Sequence, residues 1–161
     1  MINCSLIGFG KWGKNIYKSI ALHNKLKIKY ICKKNIDKIN QLKLKTKIVS
    51  SFKEAINDQI EAVFIATPSE THFEITKYAL MQKKHVFIEK PICFKNNEYQ
   101  VLKNIAKENS LILHVNYIHL YNENFTSLIK IYNQSKDNKK TFIKILLGNN
   151  LPIRKKTNVL M

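Results

Sequence analysis

The sequence predicts an α/β fold, a doubly wound parallel sheet followed by the beginning of a second α+β domain. Three observations lead to this prediction. Apolar segments of strand length alternate strictly with amphipathic segments of helix length up to residue 116. The strand segments are nearly continuous in apolar residues, as parallel strands covered by helices on both faces require. A glycine-rich turn lies between the first strand and the first helix.

The elements before residue 60 follow from apolar spacing and from one capping pattern. Trp12, Ile16, Ile20 and Ala21 recur at helical spacing after the first apolar run. Ser51 and the glutamate three residues later have the spacing of a capping box, which predicts the start of a short helix. The predicted elements are strand 2–7, helix 12–23, strand 28–32, helix 36–44, strand 48–49 and a short helix that begins near residue 51.

The later elements continue the alternation and then depart from it. Two prolines, Pro68 and Pro91, each follow the end of a predicted strand. From Asn122 the pattern changes to one more amphipathic helix, a polar turn and an alternating strand. The predicted elements are strand 62–66, helix 71–82, strand 86–88, helix 97–108, strand 111–115, a helix that carries Phe125, Leu128, Ile129 and Tyr132, turn 135–140 and strand 141–147.

Composition indicates a globular protein with a strongly basic surface. Of 161 residues, 45% are hydrophobic, and 28 basic against 11 acidic side chains give a formal charge of +17. These values exclude a disordered tail, a collagen-like repeat and a disulfide miniprotein. Arg154 is the only arginine, whereas nucleic-acid readers depend on the bidentate guanidinium group. Nucleic-acid binding is therefore not favoured.

Localisation and metal content follow from absences in the sequence. No apolar run approaches the roughly 18 residues of a membrane span, and the N-terminus does not resemble a secretory signal. The three cysteines, Cys4, Cys32 and Cys93, form no C-x-x-C pair, so we expect reduced thiols rather than a disulfide or a zinc site. No histidine pair among His85, His114 and His119 has metal-ligand spacing. We expect a cytoplasmic protein with no metal and no membrane partner.

The turn after the first strand is the strongest motif. Its sequence, Gly8-Phe9-Gly10-Lys11-Trp12-Gly13, is a G-x-G-x-x-G that holds three of the four glycines in the chain. In a Rossmann fold the first glycine permits the tight turn, the second lets the backbone approach a pyrophosphate, and the third allows close packing of helix on strand. The helix N-terminus then offers amide donors to the phosphates. The alternative is a tight turn that binds no ligand.

The end of the second strand bears on the choice between NAD and NADP. An acidic residue often follows this strand and binds the ribose hydroxyls, but here Lys33 and Lys34 occupy the place. Lysine favours a 2′-phosphate electrostatically, so NADP is preferred over NAD. Two alternatives remain open: the lysines are simply solvated, or Asp37 replaces the expected carboxylate.

The other candidate site residues also follow predicted strands. The carboxyl ends of parallel strands lie at one edge of the sheet, and ligands bind at that edge. Thr67 and Pro68 follow the fourth strand, and Glu89 and Lys90 follow the fifth. Lys90 is the candidate catalytic residue, because a lysine there can hydrogen-bond a substrate hydroxyl; otherwise it is a surface lysine. Glu89 either holds a ribose hydroxyl or pairs with Lys90. His72 either faces the cofactor or is a packed or capping residue.

Three blocks of the chain resemble the Gfo/Idh/MocA family, the glucose-fructose oxidoreductase and inositol dehydrogenase group. They are residues 7–15, residues 62–72, and residues 79–92, where Lys84-His85-Val86 leads to Glu89-Lys90-Pro91. A looser likeness covers residues 115–122. Two departures are Lys83, where the family usually has glycine, and the missing acidic residue after the second strand.

The resemblance implies an NAD(P)-dependent oxidoreductase that transfers hydride to or from a sugar, polyol or nucleotide-sugar, with Lys90 touching nicotinamide ribose and substrate. It implies an NAD(P)-binding domain at residues 1–117 and an incomplete start of the C-terminal substrate and dimerisation domain at residues 118–161. Full members form homo-oligomers and carry an Asp-x-x-x-His-Asp-like helix for acid/base chemistry, which this chain lacks. We expect a truncated form. The alternative is a non-catalytic nucleotide-binding module or partner subunit.

Overall fold

A computed structural model describes residues 1–34 and 46–134 of the chain. Within these residues six strands form one fully parallel sheet in the order β3-β2-β1-β4-β5-β6. This sheet confirms the predicted doubly wound α/β fold. The strands are β1 (Ile2–Ile7), β2 (Leu26–Cys32), β3 (Lys47–Val49), β4 (Ala62–Ile65), β5 (His85–Glu89) and β6 (Leu113–Asn116).

The register of the sheet brings the strand ends to one edge. Strand order reverses between β1 and β4, and this reversal is the position at which doubly wound sheets bind ligands. Residues that pair across adjacent strands form a single row close to the carboxyl ends of the strands. The loops that follow these residues therefore begin at the same height along the sheet. The row contains Val49, Cys32, Ile7, Ile65, Ile88 and Val115.

Helices cover the two sheet faces to different extents. On one face the larger core packs beneath three helices, with Ala79, Leu80 and Leu102 fully buried. On the other face a smaller core forms under a single described helix, around Leu6, Ile20 and other apolar side chains. The helices are α1 (Lys11–Ala21), α2 (Phe52–Ala55), α3 (His72–Met81), α4 (Asn96–Glu108) and α5 (Glu123–Gln134).

Two crossover helices end in the same motif without the usual glycine. After α3 the amide of Lys83 donates to Leu80 and that of Lys84 to Ala79, while Lys83 has φ +57°. After α4 the amides of Ser110 and Leu111 repeat these bonds, and Ser110 has φ +54°. Both are Schellman motifs, whose left-handed residue is most often glycine. The departure at Lys83 noted in the sequence therefore falls on a strained backbone position.

Most predicted boundaries agree with the structure to within two residues, and the differences have local causes. The sixth strand begins at Leu113 instead of residue 111, because the amide of Leu111 is used to close α4. The helix predicted from residue 71 begins at His72, after a 3₁₀ turn at Ser69–Thr71. The capping residue of α2 is Ser51, whose hydroxyl accepts from the Lys53 amide at 3.3 Å. Helix 36–44, turn 135–140 and strand 141–147 lie outside the described residues.

The chain divides into two compact units, Met1–Tyr121 and Asn122–Met161. The first contains the whole sheet, and the described part of the second is α5, the helix predicted after Asn122. None of the described helices is long and apolar enough to cross a membrane.

Candidate dinucleotide site

The turn that follows β1 is built on two close backbone approaches. Gly8 has φ +96°, and a Cβ there would lie 2.5 Å from the carbonyl oxygen of Ala66 and 2.8 Å from the amide nitrogen of Thr67. A Cβ on Gly13 would overlap the carbonyl oxygen of Gly8. Gly8 therefore permits the turn and Gly13 the packing of α1 on it, in the roles predicted for them. The approach of Gly8 ties the β1 loop to the β4 loop, and that of Gly13 ties α1 to the β1 loop.

Gly10 differs from the other two glycines because no protein atom requires it. It caps the N-terminus of α1, and a Cβ there would meet nothing within 4 Å. The first hydrogen bond of the helix runs from the Lys14 amide to the Gly10 carbonyl at 3.0 Å. The amides of Lys11, Trp12 and Gly13 precede that bond and have no intrahelical partner. The first turn of α1 contains no acidic residue, so it presents donors and positive potential to open space.

The remaining motif side chains point in different directions. Phe9 is buried at 4% exposure and packs edge-on against Tyr17, with ring centroids 5.8 Å apart. Phe9 can therefore contact a ligand only through its backbone. Lys11 is exposed and Trp12 is about half exposed (48%), so both side chains are accessible at the N-terminus of α1.

The loop after β2 carries basic residues at the same edge. Lys33 is half-buried and its amide donates to the Val49 carbonyl at 2.9 Å, while Lys34 is exposed. Neither of them is a carboxylate that could accept from ribose hydroxyls. Asp37, the alternative acidic residue, lies outside the described residues.

The loop after β4 is ordered by its own side chains. The Thr71 hydroxyl lies 2.7 Å from the Thr67 hydroxyl and 2.8 Å from the carbonyl oxygen of Pro68. Thr67 is half-buried and Pro68 is exposed. Both predicted residues therefore lie on a loop that packs directly against Gly8.

His72 connects this loop to the next one. Its side chain is 1% exposed, its Nδ1 lies 2.6 Å from the carbonyl oxygen of Pro91, and its Nε2 lies 3.0 Å from that of Thr67. Of the alternatives that the sequence left open, this geometry favours the packed residue. His72 lies beneath the crevice rather than on its surface.

The end of β5 places Glu89 in a hydrogen bond, and the loop that follows places Lys90 in solvent. Lys90 is exposed and precedes Pro91 through a cis peptide bond. The side-chain amide Nδ2 of Asn116, at the end of β6, donates to Glu89 Oε1 at 2.8 Å. The ion pairs of the described residues join Lys47 to Glu54 and Lys95 to Glu98. The suggested pair between Glu89 and Lys90 is therefore absent from this part of the chain.

A groove along α1 extends from the crevice over the less covered sheet face. Its volume is about 340 Å³, and Trp12, Glu89 and Asn116 line one end. Its floor contains Phe64 and Phe87, whose rings are 5.3 Å apart. Sequence reasoning missed this groove and the partnership of Asn116 with Glu89. The signal for the groove was the pair of phenylalanines, each one residue before the paired residues Ile65 and Ile88 near the strand ends.

The cysteines are free and lie away from the exposed surface of the site. Burial raises the pKa of the Cys4 and Cys32 thiols to about 11. Cys93 is half-buried, and burial also raises its pKa. Neutral thiols of this kind are poor nucleophiles. Among the described residues no group of three or more His, Cys, Asp or Glu side chains is arranged to hold a metal ion.

Comparison with known proteins identifies the family. Residues 2–117 match the model of the Gfo/Idh/MocA oxidoreductases, an oxidoreductase family with an NAD-binding Rossmann fold. The chain belongs to this family. The matched range begins with β1 and ends just after β6, so the Gfo/Idh/MocA match covers the whole parallel sheet.

Individual relatives match parts of the chain. YfiI, an oxidoreductase of Bacillus subtilis, is 47% identical over 60 residues, which cover 37% of this chain and 15% of that protein. The scyllo-inositol 2-dehydrogenase (NADP(+)) IolW of Bacillus subtilis is 32% identical over 88 residues, or 54% of this chain and 25% of IolW.

Solved structures share the fold. The crystal structure of KijD10, a 3-ketoreductase from Actinomadura kijaniata in complex with NADP and TDP-benzene, superposes with a TM-score of 0.74 at 20% identity. The superposition covers 83% of this chain and 42% of that chain. The chain thus spans less than half the length of the proteins it matches.

Proposed function

We propose that this chain binds NAD(P) at the carboxyl edge of its sheet and contributes Lys90 to hydride transfer between nicotinamide and a hydroxyl of a sugar, polyol or nucleotide-sugar. The proposal combines the family, the glycine turn and the exposed lysine after β5. Relatives named as a scyllo-inositol dehydrogenase and a UDP-N-acetylglucosamine 3-dehydrogenase support a sugar-like substrate.

The observation that carries the proposal is the open space at Gly10. Gly8 and Gly13 are explained by protein contacts, whereas a Cβ at Gly10 would project into a volume that the protein leaves free. A pyrophosphate fits this position, because the amides of Lys11, Trp12 and Gly13 provide donors at the N-terminus of α1. The adjoining Thr67 and Pro68 form the wall on the β4 side.

Lys90 is the residue we assign to the reaction. Its ammonium or amine Nζ hydrogen-bonds the substrate hydroxyl and holds it beside the cofactor. In the oxidation direction the C–H bond breaks, the hydride leaves the carbon, and the O–H proton leaves the same group to form a carbonyl. When bound, the nicotinamide would supply the acceptor for that hydride. The resemblance assigns the acid/base group that receives the proton to the second domain of full-length family members.

Glu89 has a separate role in this proposal. Asn116 donates to one of its carboxylate oxygens, which leaves the other oxygen available. We assign that oxygen to a ribose hydroxyl of the dinucleotide. The hydrogen bond from Asn116 fixes the orientation of the carboxylate at the edge of the crevice.

The cofactor preference follows from Lys33. It is half-buried after β2, at the strand end where acidic residues select NAD in many Rossmann domains. Lys33 and the adjacent Lys34 attract a 2′-phosphate, so we propose NADP as the preferred cofactor. IolW, which is named for NADP(+), is consistent with this preference.

The proposal divides the chain at the end of the family match. Residues 1–117 form the dinucleotide-binding domain, and the residues from 118 onward belong to the beginning of the substrate domain. The boundary lies four residues before the division between the two compact units. We place the protein in the cytoplasm, where free nicotinamide cofactors are present.

Titration of the purified chain with NADH and NADPH tests the proposal. Nicotinamide fluorescence and thermal unfolding are followed together, because a bound ligand raises the melting temperature by mass action. We expect saturable binding of both dinucleotides, tighter for NADPH, and loss of binding in Gly10→Val. A folded chain that binds neither dinucleotide contradicts the proposal.

A charge reversal tests the cofactor preference. Lys33→Glu is expected to weaken NADPH binding and leave NADH binding almost unchanged. Lys103→Glu, on the exposed side of α4, changes the net charge equally and serves as the control. Equal effects of the two variants on NADPH binding would show that only net charge matters.

A further inference from the structure

The imidazole of His72 joins two loops of the dinucleotide site. It lies 2.6 Å from the Pro91 carbonyl oxygen and 3.0 Å from the Thr67 carbonyl oxygen, on opposite sides of the ring. Pro91 directly follows Lys90, and Thr67 packs against Gly8. The side chain is almost completely shielded from water. One buried side chain therefore connects the loop after β4 with the loop after β5.

The two partners of the ring are of one chemical kind. Carbonyl oxygens accept hydrogen bonds and cannot donate them, so an N–H on either ring nitrogen donates to the carbonyl oxygen that it faces. Because the site is shielded from water, a carbonyl oxygen that loses the ring has no solvent to replace it.

We propose that His72 is a positioning residue whose buried ring bridges the carbonyl oxygens of Thr67 and Pro91 and thereby fixes the Lys90 loop against the Thr67 loop. The statement about the ring and the two loops is independent of any ligand. The consequence for Lys90 as a reacting group rests on the proposed function.

The bridge that His72 forms between Thr67 and Pro91, called the clamp from here on, completes a continuous set of contacts across the site. Gly13 packs on Gly8, Gly8 packs on Thr67, and His72 connects Thr67 with Pro91. Without the imidazole, the exposed Lys90 would be held only by the end of β5 and by the segment that follows Pro91. The distance between the glycine turn and Lys90 would then no longer be fixed. A fixed distance is required to hold a hydride donor and acceptor in position.

Nuclear magnetic resonance of isotope-labelled protein tests the contacts of the ring. We expect a His72 ring N–H signal that is protected from exchange with water. Exposed His23 is the internal reference, since its Nδ1 accepts from the Lys25 amide. A His72 ring N–H that exchanges as fast as that of His23 overturns the proposal.

Hydrogen exchange of substituted chains tests the clamp. His72→Phe keeps a flat ring without donors, and His72→Asn keeps one donor close to the position of Nδ1. We expect His72→Phe to accelerate amide exchange about tenfold in residues 89–93 and 67–71, the effect of losing hydrogen bonds of ordinary strength. His72→Asn should restore protection in residues 89–93 only. Exchange around Gly8 to Gly13 should stay at the wild-type rate in both variants.

The outcomes separate the two proposals. Wild-type exchange in residues 89–93 of a folded His72→Phe chain overturns the clamp and leaves dinucleotide binding untouched. Uniformly faster exchange throughout the sheet identifies His72 as a general core residue and also overturns it. Failure of the wild-type chain to bind NADPH contradicts the proposed function, whereas the exchange pattern still decides the clamp.

Discussion

Gly13, in the first turn of α1, packs against the carbonyl group of Gly8 so closely that a methyl group would overlap the oxygen. The helix therefore begins directly on the turn that precedes it. Gly10 lies between these two residues in sequence and faces open space. The same motif thus contains two glycines required by packing and one glycine that no protein contact requires.

Substitutions at these glycines should separate stability from binding. Gly13→Ala forces α1 away from the Gly8 carbonyl and is expected to destabilise the fold by about 1–3 kcal/mol. Gly10→Val fills free space at an N-cap whose backbone is extended, so we expect a loss of less than about 1 kcal/mol in stability. Binding of NADPH should disappear in Gly10→Val. Urea unfolding and fluorescence titration measure the two effects.

The opposite pattern would contradict this assignment. If Gly10→Val bound NADPH with the wild-type dissociation constant, the pyrophosphate would have to lie elsewhere. Gly13→Ala with unchanged stability would show that α1 moves without cost.

Replacing Lys90 should affect chemistry without affecting the fold. The side chain is exposed, so Lys90→Ala is expected to change the free energy of unfolding by less than about 0.5 kcal/mol. We expect NADPH binding to remain within a few-fold of wild type and hydride transfer to a sugar or polyol to be abolished. The assay uses this chain or a longer form that includes the second domain. Lys103→Ala, exposed on α4 and outside the site, is the matched control.

Unchanged turnover in Lys90→Ala would exclude the role given to this lysine. Binding of NADPH by wild type without turnover in either form would instead support the non-catalytic nucleotide-binding module.

Two helix ends offer stabilising substitutions. Lys83 and Ser110 occupy left-handed positions, with φ of +57° and +54°, which cost a side-chain-bearing residue about 1–2 kcal/mol relative to glycine. Glycine also increases the entropy of the unfolded chain, so we expect a net gain of about 1 kcal/mol for Lys83→Gly in urea unfolding. Lys84→Gly, at an ordinary backbone position, should lose stability. Equal losses at both sites would mean that Lys83 is not strained.

The rate of thiol alkylation should distinguish the buried cysteines from the accessible one. Alkylation near neutral pH, read by mass spectrometry of peptides, is expected to modify Cys93 first, because Cys4 and Cys32 are buried. Cys4 and Cys32 should react only upon unfolding. Rapid labelling of Cys4 in the folded chain would contradict the position of β1 in the centre of the sheet.

The same two thiols predict a pH dependence of stability. Their pKa is raised from 9.0 to about 11 in the folded state. Their contribution is fully present below the unfolded pKa, and it is lost as the pH rises from about 9 towards 11. Cys4→Ala is expected to reduce the slope of unfolding free energy against pH in this window. The many lysines titrate equally in both chains, so the difference between the two slopes isolates the thiol.

Much of the fold was predictable because its signals are local. Buried parallel strands are apolar along their whole length, and helices between them show one apolar face, so the strict alternation determines the class of fold. The glycine turn was predictable for the same reason, since Gly8 requires a left-handed backbone that few other residues adopt. Lys83 was recognised as a departure from the family, but its physical cost became visible only through its φ angle.

The candidate site was predictable only in part. Sequence reasoning placed Thr67, Glu89 and Lys90 at one edge, because the carboxyl ends of parallel strands coincide. It could not decide the partners of the side chains. Asn116 lies 27 residues from Glu89 in the chain, yet it is the residue that donates to the carboxylate. The sequence allowed two interpretations of His72, a cofactor contact or a packed residue. The contact of its ring with the carbonyl of Pro91, 19 residues away in the chain, favours the packed residue.

The sequence by itself determined the alternation of strands and helices, the glycine turn and the position of Lys90 after a strand, since each depends on residues close together in the chain. Only the tertiary structure decided which loops touch. The contacts of Gly8 with Thr67, of His72 with Pro91 and of Glu89 with Asn116 join different crossover units, and the register of the sheet sets their distances. Such contacts produce no characteristic number of residues between the partners in the sequence, because the intervening helices can vary in length without moving the strand ends.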